Sequence, residues 1–505
     1  MKTKRTLAIL LLLAMLTVSA SSCAEKEPDA AQNSDSSDAV LSEVPEETVP
    51  QETVPETEPI PELPGTKFNG EDFIILVNNR TDDYHSIEFA AEEMNGVGVN
   101  DAVFTRNQYI EDTYDVNLIN TPTNDEDNAL RQNVKAGIHA YDIALIGLVD
   151  SGNLALEKHL IDFGTLPYLY LDGSWWDQNA TADLSLANRK YMTIGDMNIN
   201  DKDMTWCMFY DKQLAVDYQL PDLYQLASDQ KWTFDVFRSL CANVTEDLNG
   251  DGKYTDVDRY AHVTVFARST IAYMYSMNAM TFTKDADDLP VMDMGNSALY
   301  DAYEVARSLF WSDNMCHDIE TMPKMNYPNA WRRSEAMFGN KQILFYAEAM
   351  QNAERFRGFD NDFGILPLPS GTEGSYGKHM VWKEAYVTVA PVTLEQNSAL
   401  LERAGILLEA IQRASTDTVL SAYYEKALKG KFSRDDSSSA MIDIIFDNRY
   451  YDIGTYYGWG DINNTWMSCG KAGNEAVASE LKSKQKLADR TLAKTISSLT
   501  EDAKG

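Results

Sequence analysis

Between residues 72 and 147 the sequence alternates short apolar runs with stretches of helical spacing, and this alternation constrains the fold more than any other feature. Residues 72–77 (DFIILV) read as a buried strand. Helical spacing follows over 87–114, carried by Phe89, Ala90 and Met94, then by Ala102, Val103 and Ile110. A strand over 115–119, a helix over 128–137 and a strand over 141–147 (YDIALIG) complete the series. This order predicts βαβ units on a mostly parallel sheet, because parallel neighbours need a helical crossover. Ligands of such sheets sit outside the carboxyl ends of the strands. Those ends carry Asn78-Asn79-Arg80 and Leu148-Val149-Asp150.

A chain of 505 residues exceeds one ordinary core, so a second lobe is expected. The stretch 191–212 (YMTIGDMNINDKDMTWCMFYDK) reads as the passage to it. Two strand-like runs, 191–194 and 205–210, flank a polar loop holding Asp196, Asn198, Asn200 and Asp203. Beyond it the spacing predicts helices over 233–244, 274–280, 298–312, 330–338 and 347–356. Strands are predicted over 262–266, 342–346, 363–366 and 385–390, the last a plausible second crossing. Helices over 399–414, 419–428, 437–448 and 473–499 make the remainder largely helical. No period of 20–50 residues recurs, which excludes a solenoid.

The first residues read as a targeting segment: Lys2, Lys4 and Arg5, an apolar run over 7–18, then small residues leading to Cys23. Small residues running into a cysteine resemble a bacterial lipobox, with Ala20 where Leu is usual, so Cys23 is the expected lipidation site, against the alternative of a plain signal peptide that ends near a cysteine. The apolar run is shorter than the ~20 residues a membrane span needs. Residues 24–65 are rich in Glu, Asp, Ser, Thr and Pro against Lys26 alone, with Glu47-Thr-Val-Pro50 echoed by Glu52-Thr-Val-Pro55. Such a segment buries too little apolar surface to offset its ordering entropy and reads as an extended, disordered tether. The formal net charge of −35 argues against nucleic acid and against charge-driven adsorption to anionic membranes.

Cys207, Cys241, Cys316 and Cys469 are scattered, with no C-x-x-C, so they read as small buried hydrophobes. One metal motif stands out. Asp247-Leu-Asn249-Gly-Asp251-Gly252-Lys253-Tyr-Thr255-Asp-Val-Asp258 has the alternating oxygen spacing of an EF-hand calcium loop, with Gly252 permitting the sharp turn. Lys253 would offer its carbonyl, Thr255 a hydroxyl or bridging water, and Asp258 stands where Glu is usual, as in dockerin loops. The exiting segment reads as extended, so a lone structural calcium ion is expected, against the alternative of a solvated acidic turn.

Several further pieces come in a characteristic order. They are Tyr141-Asp142-Ile143, Leu160-Ile-Asp-Phe163 through Leu166-Pro167, Trp175-Trp176-Asp177, Lys231-Trp-Thr-Phe234, 247–258 and Phe363-Gly-Ile-Leu-Pro-Leu-Pro369. Together they resemble the extracellular solute-binding proteins of carbohydrate ABC importers, the group that includes maltose-binding protein. The resemblance spans roughly 66–500. It implies a two-lobed periplasmic-binding-protein-like α/β fold of class II type, each lobe a mostly parallel sheet flanked by helices. Lobe I would span 66–208 and 383–430, and lobe II 209–382 and 431–500, behind a 1–22 signal peptide and a 23–65 tether. It also implies a carbohydrate ligand, permease subunits as partners, a monomer, no organic cofactor, and a place outside the cell membrane held by the lipid anchor alone.

Sugar binding needs aromatic faces against C–H-rich rings, with carboxylates, amides and guanidinium groups for the hydroxyls. With 9 Trp, 26 Tyr and 18 Phe the chain has the supply. The candidates are Asn78, Arg80, Asp150 and Trp206, then Tyr273, Glu348, Trp382, Tyr457 and Trp459, with Glu348 expected to open a helix after the strand 342–346. Each aromatic could equally be core. Enzyme signatures are scarce: G-x-S-x-G, H-E-x-x-H and a P-loop are all missing from the sequence, and Ser479-Glu-Leu-Lys482 reads as chance. The alternatives are a surface-anchored glycan-degrading enzyme with paired carboxylates, and a same-fold binding protein for peptides or for a sensor kinase.

Overall fold

The computed structural model describes residues 60–79, 89–311, 315–428 and 436–501. Arg80, Cys23, the leader and the tether up to residue 59 lie outside the described residues. The chain builds β1 (Glu71–Asn78), α1 (Gly98–Tyr114), β2 (Val116–Thr123), α2 (Glu126–Ala136), β3 (Ile143–Gly147) and α3 (Leu148–Leu156). Then come β4 (Trp206–Asp211), β5 (Tyr260–Thr264), α4 (Phe266–Ser276), the hairpin β6 (Phe282–Lys284) and β7 (Pro290–Met292), and β8 (Cys316–Asp318). Next are α5 (Ala330–Gly339), β9 (Ile343–Ala349), β10 (Phe363–Leu366), β11 (His379–Met380) and β12 (Tyr386–Val389). The long helix α6 (Ser398–Ser415), β13 (Arg449–Tyr450), α7 (Ile453–Tyr457) and α8 (Val477–Glu501) follow.

The strands form two main sheets, one per lobe. The first has order β12-β3-β1-β2, with β1 parallel to both β2 and β3 and β12 antiparallel at its edge. The second has order β10-β4-β9-β5-β8, parallel over β9, β5 and β8 and antiparallel over β10, β4 and β9. The βαβ reading of 72–147 therefore holds, for the reason given: each parallel pair is joined through a helix. Phe73, Ile75, Ile143 and Leu145 pack against α6, whose Ile406, Leu407 and Ile411 are fully buried with them.

Crossing between the lobes is physical and short. Thr193 bridges Thr388 of β12 in the first sheet, and Trp206 opens β4 in the second. The return passes through Val381, which bridges Thr205, and Trp382, whose N–H donates to the Met204 carbonyl at 3.0 Å. Asn200 accepts from the Tyr386 amide and Asn198 donates to its carbonyl, so the polar loop clamps the two passages side by side.

Several sequence expectations are corrected. Residues 347–356 are not one helix: β9 runs to Ala349, because both its edges are paired, to β4 and β5, and its seven residues are all buried. The helix expected over 274–280 is α4, which starts at Phe266 directly after β5. The first helix begins only at Gly98, where Gly96 at φ +81 and the Asp101 carboxylate on the Asn95 and Gly96 amides set its start. The run 191–194 makes a single bridge and no strand. Cys207, Cys241, Cys316 and Cys469 are buried and unpaired, as expected.

Candidate functional site

The carboxyl ends of both sheets meet the crossing at Trp382. On the second lobe, Glu348 sits near the end of β9, Arg268 in the first turn of α4 after β5, and Trp331 in the first turn of α5. The Trp206 and Trp382 rings lie 6.2 Å apart at 51°. The Arg268 guanidinium stands 4.7 Å from the Trp382 centroid and 5.6 Å from that of Trp331. Lys383 Nζ is 5.5 Å from the same Trp382 ring. Cations over indole faces are held by the ring quadrupole, most strongly where water is excluded.

On the first lobe, a cavity of about 240 Å³ is lined by Glu126, Gly147, Val149, Asp150, Lys383, Glu384 and Tyr386. Three strands point their carboxyl ends at it. Asn78, ending β1, donates to Glu126 Oε2 at 2.7 Å. Burial pushes the Glu126 carboxyl up from its ordinary pKa, against the pull of its own amide and of Asn78. Lys383 belongs to this cavity and to the Trp382 cluster, so it joins the two faces.

Glu348 is buried and acts on Arg268. Its Oε2 accepts from the Ala349 amide at 2.7 Å and from Asn352 Nδ2 at 2.9 Å. Its Oε1 accepts no hydrogen bond and lies 3.8 Å from Arg268 Nη1. Burial raises the Glu348 pKa, and the Arg268 charge opposes that rise.

The structure thus brings together Asn78 and Asp150 on one face, and Trp206, Glu348 and Trp382 on the other. Trp206 is fully buried beneath Trp382 and donates to Ser269, so it supports the site from behind. Tyr273 and Trp459 are placed elsewhere. Tyr273 is in the second-lobe core, its hydroxyl 2.6 Å from His262 Nε2, with Phe234 and Phe310 against its ring. Trp459 donates to Thr495 on α8 and stacks on Tyr457 at 5.3 Å. Tyr457 packs on Gly152 of α3, its buried hydroxyl without a partner. The dense aromatic run 450–459 is therefore largely core: Tyr451 and Tyr456 are buried and bonded to Asp177 and to the Val381 carbonyl. Arg268, Trp331, Lys383, Glu126, Glu384 and Tyr386 escaped the sequence reading. Nothing local in the sequence distinguishes Arg268 or Lys383 from a solvated cation.

The 247–258 loop closes on itself. Asp247 accepts from the Gly250 and Gly252 amides, Asn249 from Asp251, Asp251 from Lys253, and buried Asp258 from Leu248 and Thr255. Gly250 and Gly252 take φ of +72 and +76. The exit is extended, as expected: Glu246 bridges Arg259 and β5 follows. Among the described residues no group of three or more His, Cys, Asp and Glu side chains is gathered as metal ligands.

No protein-family model matches the sequence, and no curated protein is similar to it at the level of sequence. Solved structures are. The sugar-binding protein MalE from Xanthomonas citri superposes with a TM-score of 0.57 at 14% identity, covering 84% of this chain and 98% of that one. The ABC substrate-binding protein Lmo0181 from Listeria monocytogenes, in complex with cycloalternan, gives 0.53 at 10% identity over 84% of this chain and 99% of that one. UspC from M. tuberculosis gives 0.54 at 11% identity over 83% and 100%. The fold is that of the two-lobed solute-binding proteins. In a solute-binding fold the space between lobes is where strand carboxyl ends from both sheets face each other.

Proposed function

We propose that this protein is an extracytoplasmic solute-binding lipoprotein of an ABC importer, capturing a sugar or oligosaccharide between its lobes and handing it to a membrane permease. One observation carries the reading: at the crossing between the two sheets the Trp382 indole, backed by Trp206, lies against Arg268 and Lys383, and Lys383 also lines the cavity that holds Glu384 and Asp150. An aromatic platform ringed by charged groups is what a carbohydrate needs, since ring C–H faces stack and hydroxyls take directed hydrogen bonds. The solute-binding fold, and the sugar ligands named for proteins similar to it, support the same class. On this reading the chain is a binding protein and not an enzyme.

Cys23 would carry the lipid, and the acidic tether, at about 3 Å per residue when extended, would hold the lobes away from the membrane. Ligand would favour the closed arrangement of lobes, and the permease would read that state by differential affinity. The 247–258 loop would hold one calcium ion for stability. No helix among the described residues is long and apolar enough to cross a membrane.

Calorimetry of the full chain against a panel of neutral and charged oligosaccharides tests the reading. Saturable binding is expected for at least one saccharide; no heat and no thermal stabilisation with any of them would overturn it.

A further inference from the structure

We propose that the site takes an anionic substituent of its saccharide, a carboxylate or a sulfate ester, between Arg268 and Lys383 at the Trp382 indole. The inference rests on the solute-binding reading and narrows its ligand to charged saccharides.

Two cations converge on one ring, at 4.7 and 5.5 Å from its centroid. Like charges so close repel unless an anion lies between or beside them. Among the described residues Lys383 has no such partner, and Arg268 has one loose one. Among the described residues the Lys383 ammonium makes no ion pair and no side-chain hydrogen bond; it lies against the ring and lines the first-lobe cavity. Arg268 donates no hydrogen bond, and its one carboxylate, Glu348, stops at 3.8 Å. That carboxylate is already engaged through Oε2 by Ala349 and Asn352, which fixes it short of a bidentate pair. A guanidinium offers five N–H donors in a planar fork that matches an oxyanion. Held between the Trp382 and Trp331 indoles, the Arg268 fork is oriented and partly shielded from water before any ligand arrives.

A second observation agrees. Trp382 is 6% exposed, and its Nε1 is buried without an acceptor, as is Trp331 Nε1. Buried donors are nearly always satisfied, so these two indole N–H groups beside Arg268 are available to an acceptor oxygen. The carboxylates of Glu126, Asp150 and Glu384 line the first-lobe cavity together with Lys383, and among the described residues none of them forms an ion pair with it. There they would accept from sugar hydroxyls. The protein's overall negative charge opposes approach of an anion, but screening limits that field to about 8 Å at physiological ionic strength. The local donors decide the site.

The test is calorimetry of the full chain with a galacturonate trisaccharide, a sulfated disaccharide and maltotriose, each at low and raised sodium chloride. At least one anionic saccharide is expected to bind, more weakly as salt is raised; whether the galacturonate or the sulfated ligand does so identifies the group. Arg268→Gln is expected to lower that affinity on the order of 10- to 100-fold, with partial recovery in Arg268→Lys, and Lys383→Gln to lower it several-fold. Binding of maltotriose alone would overturn the inference and leave the solute-binding reading standing. Failure of all three ligands would overturn the inference, while the solute-binding reading falls only if the wider oligosaccharide panel fails as well. An anionic affinity unchanged in folded Lys383→Gln and Arg268→Gln would sink the inference alone.

Discussion

Arg449 Nη2 lies 2.6 Å from Asp177 Oδ2, tying a strand late in the chain to a first-lobe helix cap. Arg449 Nε and the Tyr451 hydroxyl donate to the same carboxylate oxygen, and Asp201 of the crossing loop lies 3.8 Å from Arg449 Nε. Burial alone would raise the Asp177 pKa; Arg449, the Ala180 amide, Lys202 and Tyr451 together bring it below its ordinary value. Arg449→Met should leave Asp177 and Asp201 buried with weakened compensation, costing about 3–5 kcal/mol. A denaturant midpoint unchanged in this variant would show that the network contributes nothing net.

Trp382 carries the aromatic part of the proposed site. Trp382→Ala should lose at least about 2 kcal/mol of ligand binding, roughly 30-fold in Kd, as for a central indole anchor. Trp459→Phe, far from the crossing and packed on α8, should leave Kd within about threefold while lowering the melting midpoint. Equal losses of affinity in both would contradict the placement.

Acid should destabilise the second lobe through two histidines. Burial holds His262 and His379 down at about 4, from 6.5. Between those values the unfolded chain binds protons that the folded chain does not, so stability is full above pH 6.5 and is lost as pH falls toward 4. The gap corresponds to on the order of 3 kcal/mol for each ring. Thermal melts from pH 7 to 4 should show the midpoint falling, with a shallower slope in His379→Gln.

Asp183 works in the opposite sense. Burial raises its carboxyl to about 6, and the Tyr451 amide, which it accepts at 3.0 Å, only partly offsets this. The folded chain then holds the proton longer than the unfolded one, so this group subtracts stability as pH rises from 3.8 through 6. Asp183→Asn keeps an acceptor for Tyr451 and should add on the order of 1–2 kcal/mol at pH 7, with no gain at pH 4. An equal effect at both pH values would refute the assignment.

Calcium should act on stability through the 247–258 loop. Adding the ion to chelator-treated protein should raise the melting midpoint by several degrees, and Asp251→Ala should abolish the rise. Asp251 is the better probe than Asp258, because it is exposed and bonds only the Lys253 amide, whereas Asp258 closes the loop at both ends. A midpoint indifferent to calcium would argue for a plain acidic turn.

How the site could be read from sequence follows from where its residues lie relative to strands. Asn78 and Asp150 were legible because they directly follow continuous apolar runs, and a run of that kind marks its own carboxyl end. Glu348 and Trp382 were legible as residues beside predicted strands, although Glu348 proved to be inside β9, whose AEA ending satisfies helix and strand patterns alike. Arg268 and Lys383 were not, because nothing local distinguishes them from solvated cations; what selects them is an indole 4.7 and 5.5 Å away, contributed by a distant segment or by a neighbour whose ring direction sequence does not fix.

Local chemistry therefore settled the parallel sheet of the first lobe, the glycine-hinged acidic loop, the buried cysteines and the passage near Trp206. Each depends on residues adjacent in the chain, where spacing alone reports periodicity or turn. Which aromatic faces the ligand space and which fills the core was decided only by folding. Trp382 and Trp459 are alike in type and burial, but one packs under two cations and the other under a helix, through contacts between segments scores of residues apart.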